Sequence, residues 1–273
     1  MTPRLMRVNG ASLAVLDRGA GAALVFVHGA LGDWRTFAPH VALMAQRLRA
    51  VSYTQRFFGP EAYPSEPRFG VGAHADDLIA LIEALGAPAD VVAWSYGGHV
   101  ALDAMLRRPD LVRAALIYEP GFPTYVTDAA DLAAFGADAE AMFAPVSEAV
   151  QRGDLQEAAR RLVEASTGFA DEPDGISEAR RAIYRDTAHT LPLMFTQTPP
   201  PLIAAADLAR LKPRVSIAWG ELTRPSFAIV SHAAACAIAN GEHGSIPGAG
   251  HLWPESAPGD FVALVQRRLG YSA

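Results

Sequence analysis

The sequence is short of cysteine and lacks any long apolar run, and each shortage excludes a class of protein. One cysteine, Cys236, among 273 residues rules out an intrachain disulfide. Its Ala-rich surroundings predict a helix and a buried structural thiol. No stretch approaches the ~20 apolar residues of a membrane span, and the N-terminus lacks the apolar core of a signal peptide. The sequence therefore predicts a cytoplasmic protein without a membrane partner.

Clusters of cationic or metal-binding residues are also missing. The formal net charge is −6, and Lys and Arg form no long run that could follow a phosphate backbone. His74-Ala75-Asp76-Asp77 is interpreted as a helix start, where acidic residues suit the helix dipole, and not as a metal site. Gly19-Ala20-Gly21 precedes a strand instead of following one, so it is not a dinucleotide loop. The sequence thus predicts no nucleic-acid partner, metal or cofactor, and it leaves the oligomeric state open.

Apolar residues, by contrast, make up 51% of the chain, which is enough for a large core. Short β-rich runs alternate with helical patterns, and this alternation indicates an α/β fold with a mostly parallel sheet flanked by helices. The rhythm breaks after Gly121, where helical patterns follow one another without strands. We predict a core domain of residues 1–121 and 202–273, with a helical cap inserted at 122–201. Within the cap we expect a helix over Asp138–Gln151, with Pro145 as the place where it could break.

A serine at the junction of a strand and a helix is the central motif. In residues 91–102 an apolar strand ends, Ser95 follows, and two glycines lead into a helix. This is the context of a nucleophile elbow, in which a strained serine projects from a sharp turn. Ala93 and Gly97 are small enough to let strand and helix approach closely. The helix N-terminus then points at the reaction centre, so that the backbone N–H of Tyr96 could stabilise an oxyanion; a serine that merely caps the helix is the alternative.

Two further motifs give the chain a resemblance to the α/β-hydrolase superfamily. His28-Gly29 follows the third predicted strand, and Gly250-His251 lies in a Gly-rich loop after the last one. Together with the Ser elbow after the fifth strand, they resemble that superfamily over nearly the whole chain. The resemblance implies an α/β-hydrolase fold, a second oxyanion N–H from Ala30 or the neighbouring Leu31, and His251 as the base that takes the proton of Ser95. It also implies that His28 is structural.

The acid of the triad departs from the family's pattern. The usual acid follows the seventh strand as Gly-x-x-Asp, but this chain has Gly220-Glu221-Leu222-Thr223, with a threonine at the acid position. Glu119 ends the sixth strand, beside the strand that carries the serine. Some α/β-hydrolases are known to move the acid to that strand end. We therefore favour Glu119, with Glu221 as the alternative and the lack of any competent acid as a third possibility.

Aromatic and apolar residues near these motifs predict a hydrophobic substrate pocket. The residues expected to line it are Leu31, Trp94, Phe122, Phe143, Met194 and Trp253. Arg56, after the fourth strand, is interpreted as a loop brace, with a substrate contact as the alternative.

The motifs together predict a carboxylic ester hydrolase of the esterase or lactonase type. Attack by the serine on a carbonyl gives an acyl-enzyme that water releases, and no cofactor is needed. A hydrophobic pocket favours a small, largely hydrophobic substrate. Hydrolysis of a C–C bond or a lyase reaction with the same triad is the first alternative. A non-catalytic small-molecule binding protein of the same fold is the second.

Overall fold

The computed structural model describes residues 1–60, 67–167 and 176–271. The strands, numbered along the chain, are β1 (Arg4–Val8), β2 (Ala11–Arg18), β3 (Ala23–Val27), β4 (Arg49–Tyr53), β5 (Ala89–Trp94), β6 (Val112–Tyr118), β7 (Arg214–Gly220) and β8 (Gly244–Ile246). They form one eight-stranded sheet in the order β1-β2-β4-β3-β5-β6-β7-β8. β1 pairs antiparallel with β2, and β2 with β4, whereas the other neighbouring pairs are parallel.

The helices, numbered in the same way, lie mostly between strands. They are α1 (Ala38–Met44), α2 (Val71–Ala84), α3 (Tyr96–Arg107), α4 (Ala129–Gln151), α5 (Leu155–Ser166), α6 (Glu178–Thr187), α7 (Leu191–Phe195), α8 (Ala205–Leu208), α9 (Pro225–Ala237), α10 (Trp253–Ser256) and α11 (Pro258–Leu269). A short 3₁₀ turn, Ala188–Thr190, joins α6 to α7. In the described ranges, no helix has both the length and the apolarity that a membrane crossing requires.

Both faces of the sheet are covered, which explains the continuous apolar runs of its central strands. β5 is buried along its whole length. Its successive residues alternate between the faces, so that Val91 belongs to the core under α2 and α3 and Val92 to the core under α1 and α11. This arrangement confirms the predicted α/β fold with a mostly parallel sheet.

In the described ranges between β6 and β7 the chain forms helices α4 to α8 and no strand, and α4 differs from the expectation. It begins at Ala129, nine residues earlier than predicted, because the Asp128 side chain caps its N-terminus by accepting from two backbone N–H groups. It also runs through Pro145 without ending. Proline removes one helical hydrogen bond, and the burial of Met142 and Val146 on either side of it supports continuation of the helix.

Cys236 is exposed, so the prediction of a buried thiol is wrong. α9 buries Phe227, Val230 and Ala234, which repeat at helical spacing. Cys236 lies two residues beyond Ala234 and therefore on the opposite side of the helix. An Ala-rich helix gives little sequence contrast between its two faces, and this weak contrast explains the error.

Candidate active site

Ser95 occupies a sharp turn between β5 and α3. Its φ of 55° lies in the left-handed region, where a side chain is strained. The turn brings α3 so close to the end of β3 that a Cβ on Gly97 would lie 2.5 Å from the carbonyl oxygen of His28. A Cβ on Gly29 would lie 3.0 Å from Cβ of Ser95. Close packing around the serine therefore requires glycine at position 97 and leaves little room for a side chain at position 29.

Ser95, His251 and Glu119 come together at the carboxyl ends of the parallel strands. Nε2 of His251 lies 3.2 Å from Oγ of Ser95, and Nδ1 lies 2.5 Å from Oε2 of Glu119. With the proton on Nδ1, the imidazole donates to the carboxylate and accepts from the serine hydroxyl. Ser95 is 9% exposed, His251 4% and Glu119 not at all. Water therefore has little access to these hydrogen bonds.

Both oxygens of the Glu119 carboxylate accept hydrogen bonds, three in all. Its Oε1 accepts from the backbone N–H of Gly220 at 2.6 Å, and its Oε2 accepts from the Thr223 hydroxyl at 2.9 Å in addition to His251. Glu119 itself has a φ of 50°, and its N–H donates to the Ala218 carbonyl of β7. Backbone and side chain are thus both fixed against β7, and the threonine at the family's acid position contributes a donor to the glutamate.

Glu221, the alternative acid, lies elsewhere. It is exposed, and its Oε2 accepts from the backbone N–H of Gly248 at 3.0 Å. This contact ties the turn after β7 to the loop that precedes His251. The structure does not bring its carboxylate to the imidazole.

An aromatic ring that sequence reasoning missed covers the imidazole. The Phe227 ring stacks on that of His251 with centroids 3.7 Å apart and planes 3° apart. Trp94 approaches the same imidazole with centroids 5.4 Å apart. Phe227 lies near the start of an apolar, Ala-rich helix, where one more apolar residue attracts no notice, so its sequence context carries no functional signal.

The backbone donors expected to form an oxyanion hole border the same space. Tyr96 is the first residue of α3, so its N–H has no partner inside the helix. Ala30 and Leu31, in the loop after β3, line the same cavity. Leu31 has a φ of 53°, which marks a tight turn at this point.

The side chain of Tyr96 is anchored away from the reacting atoms. Its hydroxyl donates to Nδ1 of His74 at 2.7 Å, and Nε2 of His74 donates to the carbonyl of Arg56 at 2.9 Å. Burial lowers the pKa of His74 to about 3, so that the ring stays neutral and can accept this bond. Arg56 also forms a buried 2.5 Å ion pair with Asp77. Arg56 is therefore a loop brace, as interpreted from the sequence, and it lies outside the cavity.

A cavity of about 380 Å³ opens above Ser95. Of the residues predicted to line it, the structure places there Leu31, Trp94, Phe122, Phe143 and Met194. Helices α4, α5 and α7 add further apolar side chains, among them Phe135, Met142, Val146, Leu162, Leu191 and Phe195.

Trp253 is not among the described residues that line this cavity, so the prediction for it is wrong. Its ring packs against Tyr118 and Phe261, with centroids 5.8 and 5.5 Å away. Trp253 is the first residue of α10, and its side chain faces α11 instead of the cavity. Its position two residues after His251 gave no information about the direction of the ring.

The cavity wall has no charged side chain among the described residues, apart from the ionisable imidazole of His251. The hydroxyl of Ser166 on this wall is used within α5, where it donates to the Leu162 carbonyl. That of Tyr184 donates to the buried carboxylate of Glu255. A substrate group in this cavity therefore meets mainly apolar surface, which favours an uncharged hydrophobic part.

Ion pairs attach the helices between β6 and β7 to the rest of the molecule. Arg224, just before α9, contacts Asp138 of α4 with 2.7 Å between Nη2 and Oδ1. Arg180 of α6 contacts Glu255 of α10 at 3.1 Å. Burial raises the pKa of Glu255, whereas Arg180 beside it acts in the opposite direction. These contacts hold α4 and α6, which lie over the cavity, against α9 and α10 near His251.

Comparisons with known proteins show the family and the fold. Residues 24–264 match the family model described as "Alpha/beta hydrolase family". A 2-(acetamidomethylene)succinate hydrolase of Mesorhizobium japonicum is 25% identical over 268 residues, which cover 93% of this chain and 90% of that protein.

Two solved structures are similar over all or nearly all of their length. One described as an N-acyl homoserine lactone degrading enzyme has a TM-score of 0.75 at 21% identity, covering 99% of this chain and 100% of the other. A meta-cleavage product hydrolase from Pseudomonas fluorescens IP01 has a TM-score of 0.76 at 17% identity, covering 98% of each chain. At these identities the likeness concerns the fold, and it confirms the fold expected from the motifs.

Proposed function

The chain belongs to the alpha/beta hydrolase family, and from that premise we propose that it is a serine hydrolase that cleaves a carboxylic ester or lactone of a small, largely hydrophobic substrate. One observation carries the proposal. The hydrogen-bonded series Glu119–His251–Ser95 ends in a serine hydroxyl at the floor of an apolar cavity. A nucleophile, a base and an orienting acid in this order are the requirements for acyl transfer.

The first half of the reaction begins when His251 Nε2 takes the proton of Ser95 Oγ as the oxygen attacks the substrate carbonyl. The negative charge that develops on the carbonyl oxygen is stabilised by the backbone N–H groups of Tyr96 and Ala30. Glu119 holds the imidazole in the required tautomer and stabilises the imidazolium. His251 then gives its proton to the leaving alkoxide, and Ser95 is left acylated.

Deacylation uses the same groups in reverse. His251 takes a proton from a water molecule, the resulting hydroxide attacks the acyl carbonyl, and the proton passes to Oγ of Ser95 as the acid leaves. In a lactone the alcohol and the acid belong to one molecule, so ring opening retains the alcohol in the cavity until this second step. No cofactor takes part in either half.

The helices within residues 122–201 act in this proposal as a cap over the cavity. Phe143 and Met194 supply apolar surface above Ser95. Such a roof keeps bulk water away from the oxyanion and strengthens its hydrogen bonds. The ion pairs of Arg224 and Arg180 with their carboxylate partners support a roof that stays in place in the free protein.

Cleavage of a C–C bond by the same three residues is the second candidate, favoured by the similarity to a meta-cleavage product hydrolase. The cavity wall argues for the ester or lactone instead. Neither lysine nor arginine lines it in the described part of the chain, so a substrate carboxylate would be buried without a counter-charge, at a cost of several kcal/mol.

Reactivity of Ser95 tests the proposal most directly. We expect the purified protein to hydrolyse p-nitrophenyl esters of uncharged acyl chains and to be labelled by a fluorophosphonate at Ser95. The Ser95→Ala variant should lose both properties while keeping its circular dichroism spectrum. Vinylogous diketones, assayed beside the esters, report on C–C cleavage.

The outcomes separate the candidate functions. Turnover of diketones without turnover of esters or lactones would replace the proposal with C–C hydrolysis. Failure of Ser95 to react with the fluorophosphonate, together with saturable binding of hydrophobic esters, would indicate a non-catalytic binding protein.

A further inference from the structure

We propose that Phe227 is a positioning residue for His251: its ring fixes the plane of the imidazole and stabilises the imidazolium that forms during turnover. The inference rests on the proposed role of His251 as the base. It starts from the parallel stack of the two rings, whose centroids lie 3.7 Å apart with 3° between the planes.

The geometry of the stack suits a charged imidazole better than a neutral one. Two neutral aromatic rings prefer an offset or edge-to-face arrangement over a face-to-face sandwich. A cation above the face of an aromatic ring is attracted by the ring quadrupole, and the attraction grows when the site is desolvated. His251 is 4% exposed and Phe227 7%. The stack therefore favours the transition state, in which the imidazole carries the proton of Ser95.

Contacts from other helices fix the position of the Phe227 ring. Asp138 of α4 accepts from the backbone N–H of Ser226 at 3.1 Å, which caps the N-terminus of α9. Arg224 donates to the same carboxylate and, through Nη1, to the carbonyl of Ala165 in α5 at 3.0 Å. The first turn of α9 is thus tied to α4 and α5, and the backbone that carries Phe227 cannot move away from the imidazole without breaking these bonds.

Other groups also face the imidazole and must stay constant in the test. Glu119 at the end of β6 and Ser95 at the elbow contact its two nitrogens. Glu255 of α10 lies close enough for an electrostatic interaction with His251, and its carboxylate is paired with Arg180 and Tyr184 of α6. The titratable groups of α9 itself, His232 and Cys236, are exposed.

The Phe227→Leu variant removes the aromatic face but keeps the apolar surface, so none of these groups changes. We expect the acid limb of the kcat/KM profile to move to lower pH by about half a unit to one unit, because the imidazolium loses its partner ring. At the pH optimum kcat should fall about 3- to 10-fold, with a smaller change in KM. A merely structural role would lower the yield of active enzyme without moving the limb.

Phe143→Leu is the matched control, since Phe143 lines the same cavity and is not stacked on His251. We expect it to raise KM and to leave the acid limb in place. An unmoved acid limb in Phe227→Leu, or the same displacement in both variants, would overturn the proposal. Circular dichroism and thermal melting establish that both variants fold.

An NMR titration keeps this result separate from the proposed function. The His251 imidazole in ¹⁵N-histidine-labelled protein, assigned with a His251→Gln variant, reports protonation without any substrate. A displacement of its titration to lower pH in Phe227→Leu supports the stack even if no ester is hydrolysed. Identical titrations in the parent protein and the variant refute it even if the esterase assay succeeds.

Discussion

At the residue scale, the relation between Thr223 and Glu119 explains how an acid can stand at an unusual place. Thr223 lies where the family's pattern has an aspartate, and its hydroxyl donates to Oε2 of Glu119, the oxygen that also accepts from His251. Residue 223 is therefore still hydrogen-bonded to the triad, while Glu119 at the end of β6 supplies the negative charge. The two residues, together with the Gly220 N–H, act as one unit.

Glu119→Gln should lower kcat about 10³- to 10⁴-fold with little change in KM, because an amide neither stabilises the imidazolium nor enforces the tautomer. The measurement is steady-state hydrolysis of the best ester of the panel. Glu221→Gln is the control, since it removes a carboxylate of the same type at an exposed position and should keep near-full activity. The reverse outcome would make Glu221 the acid.

A second prediction concerns Thr223, which stands where the family's pattern has the acid. The double variant Thr223→Asp, Glu119→Gln should be at least about tenfold more active than the Glu119→Gln single variant. The reason is that a carboxylate at residue 223 should lie within reach of His251 Nδ1 and supply the missing charge. The matched control replaces Thr223 by Asn in the same background, which supplies the shape without the charge. Equal activity of the two double variants would show that residue 223 cannot act on the imidazole.

At the scale of helices and strands, sequence patterns predict positions better than directions. The positions of Ser95 and Glu119 were predictable, since each ends an apolar run and precedes a turn signal, and that of His251 was predictable from the Gly-rich loop that precedes it. The outward position of Cys236 and the direction of the Trp253 ring were not, because both depend on which face of a helix meets the core. Phe227 belongs to the same group: its role depends on a neighbour 24 residues later in the chain, and one sequence carries no sign of that contact.

The contact of Asp138 in α4 with Arg224 and with the N-terminus of α9 gives a prediction at this scale. Asp138→Ala should lower the free energy of unfolding by about 2 to 3 kcal/mol, because it leaves the partly buried Arg224 guanidinium without its partner and uncaps α9. Urea unfolding followed by circular dichroism measures the change. Glu140→Ala on the exposed side of α4 removes the same charge and should change stability by less than about 0.5 kcal/mol. Equal effects of the two substitutions would contradict this role of the ion pair.

At the scale of the whole molecule, alternation of strands and helices was enough to predict the sheet, because parallel strands need helical crossovers. The hydrogen-bond pairing inside the core was not predictable in the same way. Two buried histidines are the clearest case, since His28 accepts from the backbone N–H of Gln55 and His74 accepts from the Tyr96 hydroxyl. His28, His40, His74 and His99 are fully buried, in four different elements or loops.

These four histidines make the fold sensitive to acid. Burial lowers the pKa of His28 to about 4 and those of His40, His74 and His99 to about 3, from an ordinary value of 6.5. Between these values the unfolded chain binds protons that the native protein does not. Stability is therefore complete above about pH 6.5 and falls as the pH decreases toward 4, by about 1.4 kcal/mol per pH unit for each histidine.

Urea unfolding at a series of pH values should thus give a free energy that falls by about 5 kcal/mol per pH unit in the lower part of this window. Burial raises the pKa of Glu255, so at the acid end of this window the native protein binds a proton there more readily than the unfolded chain does. This group therefore opposes part of the loss of stability that the histidines cause.

His40→Leu is the test variant, since His40 lies among the rings of Phe26, Phe37 and Phe261, with centroids 5.0 to 5.7 Å away. It should reduce the slope by about one proton, or 1.4 kcal/mol per pH unit. A free energy independent of pH between 6.5 and 5 would mean that burial does not lower the pKa of these histidines, and an unchanged slope in His40→Leu would mean the same for His40 alone.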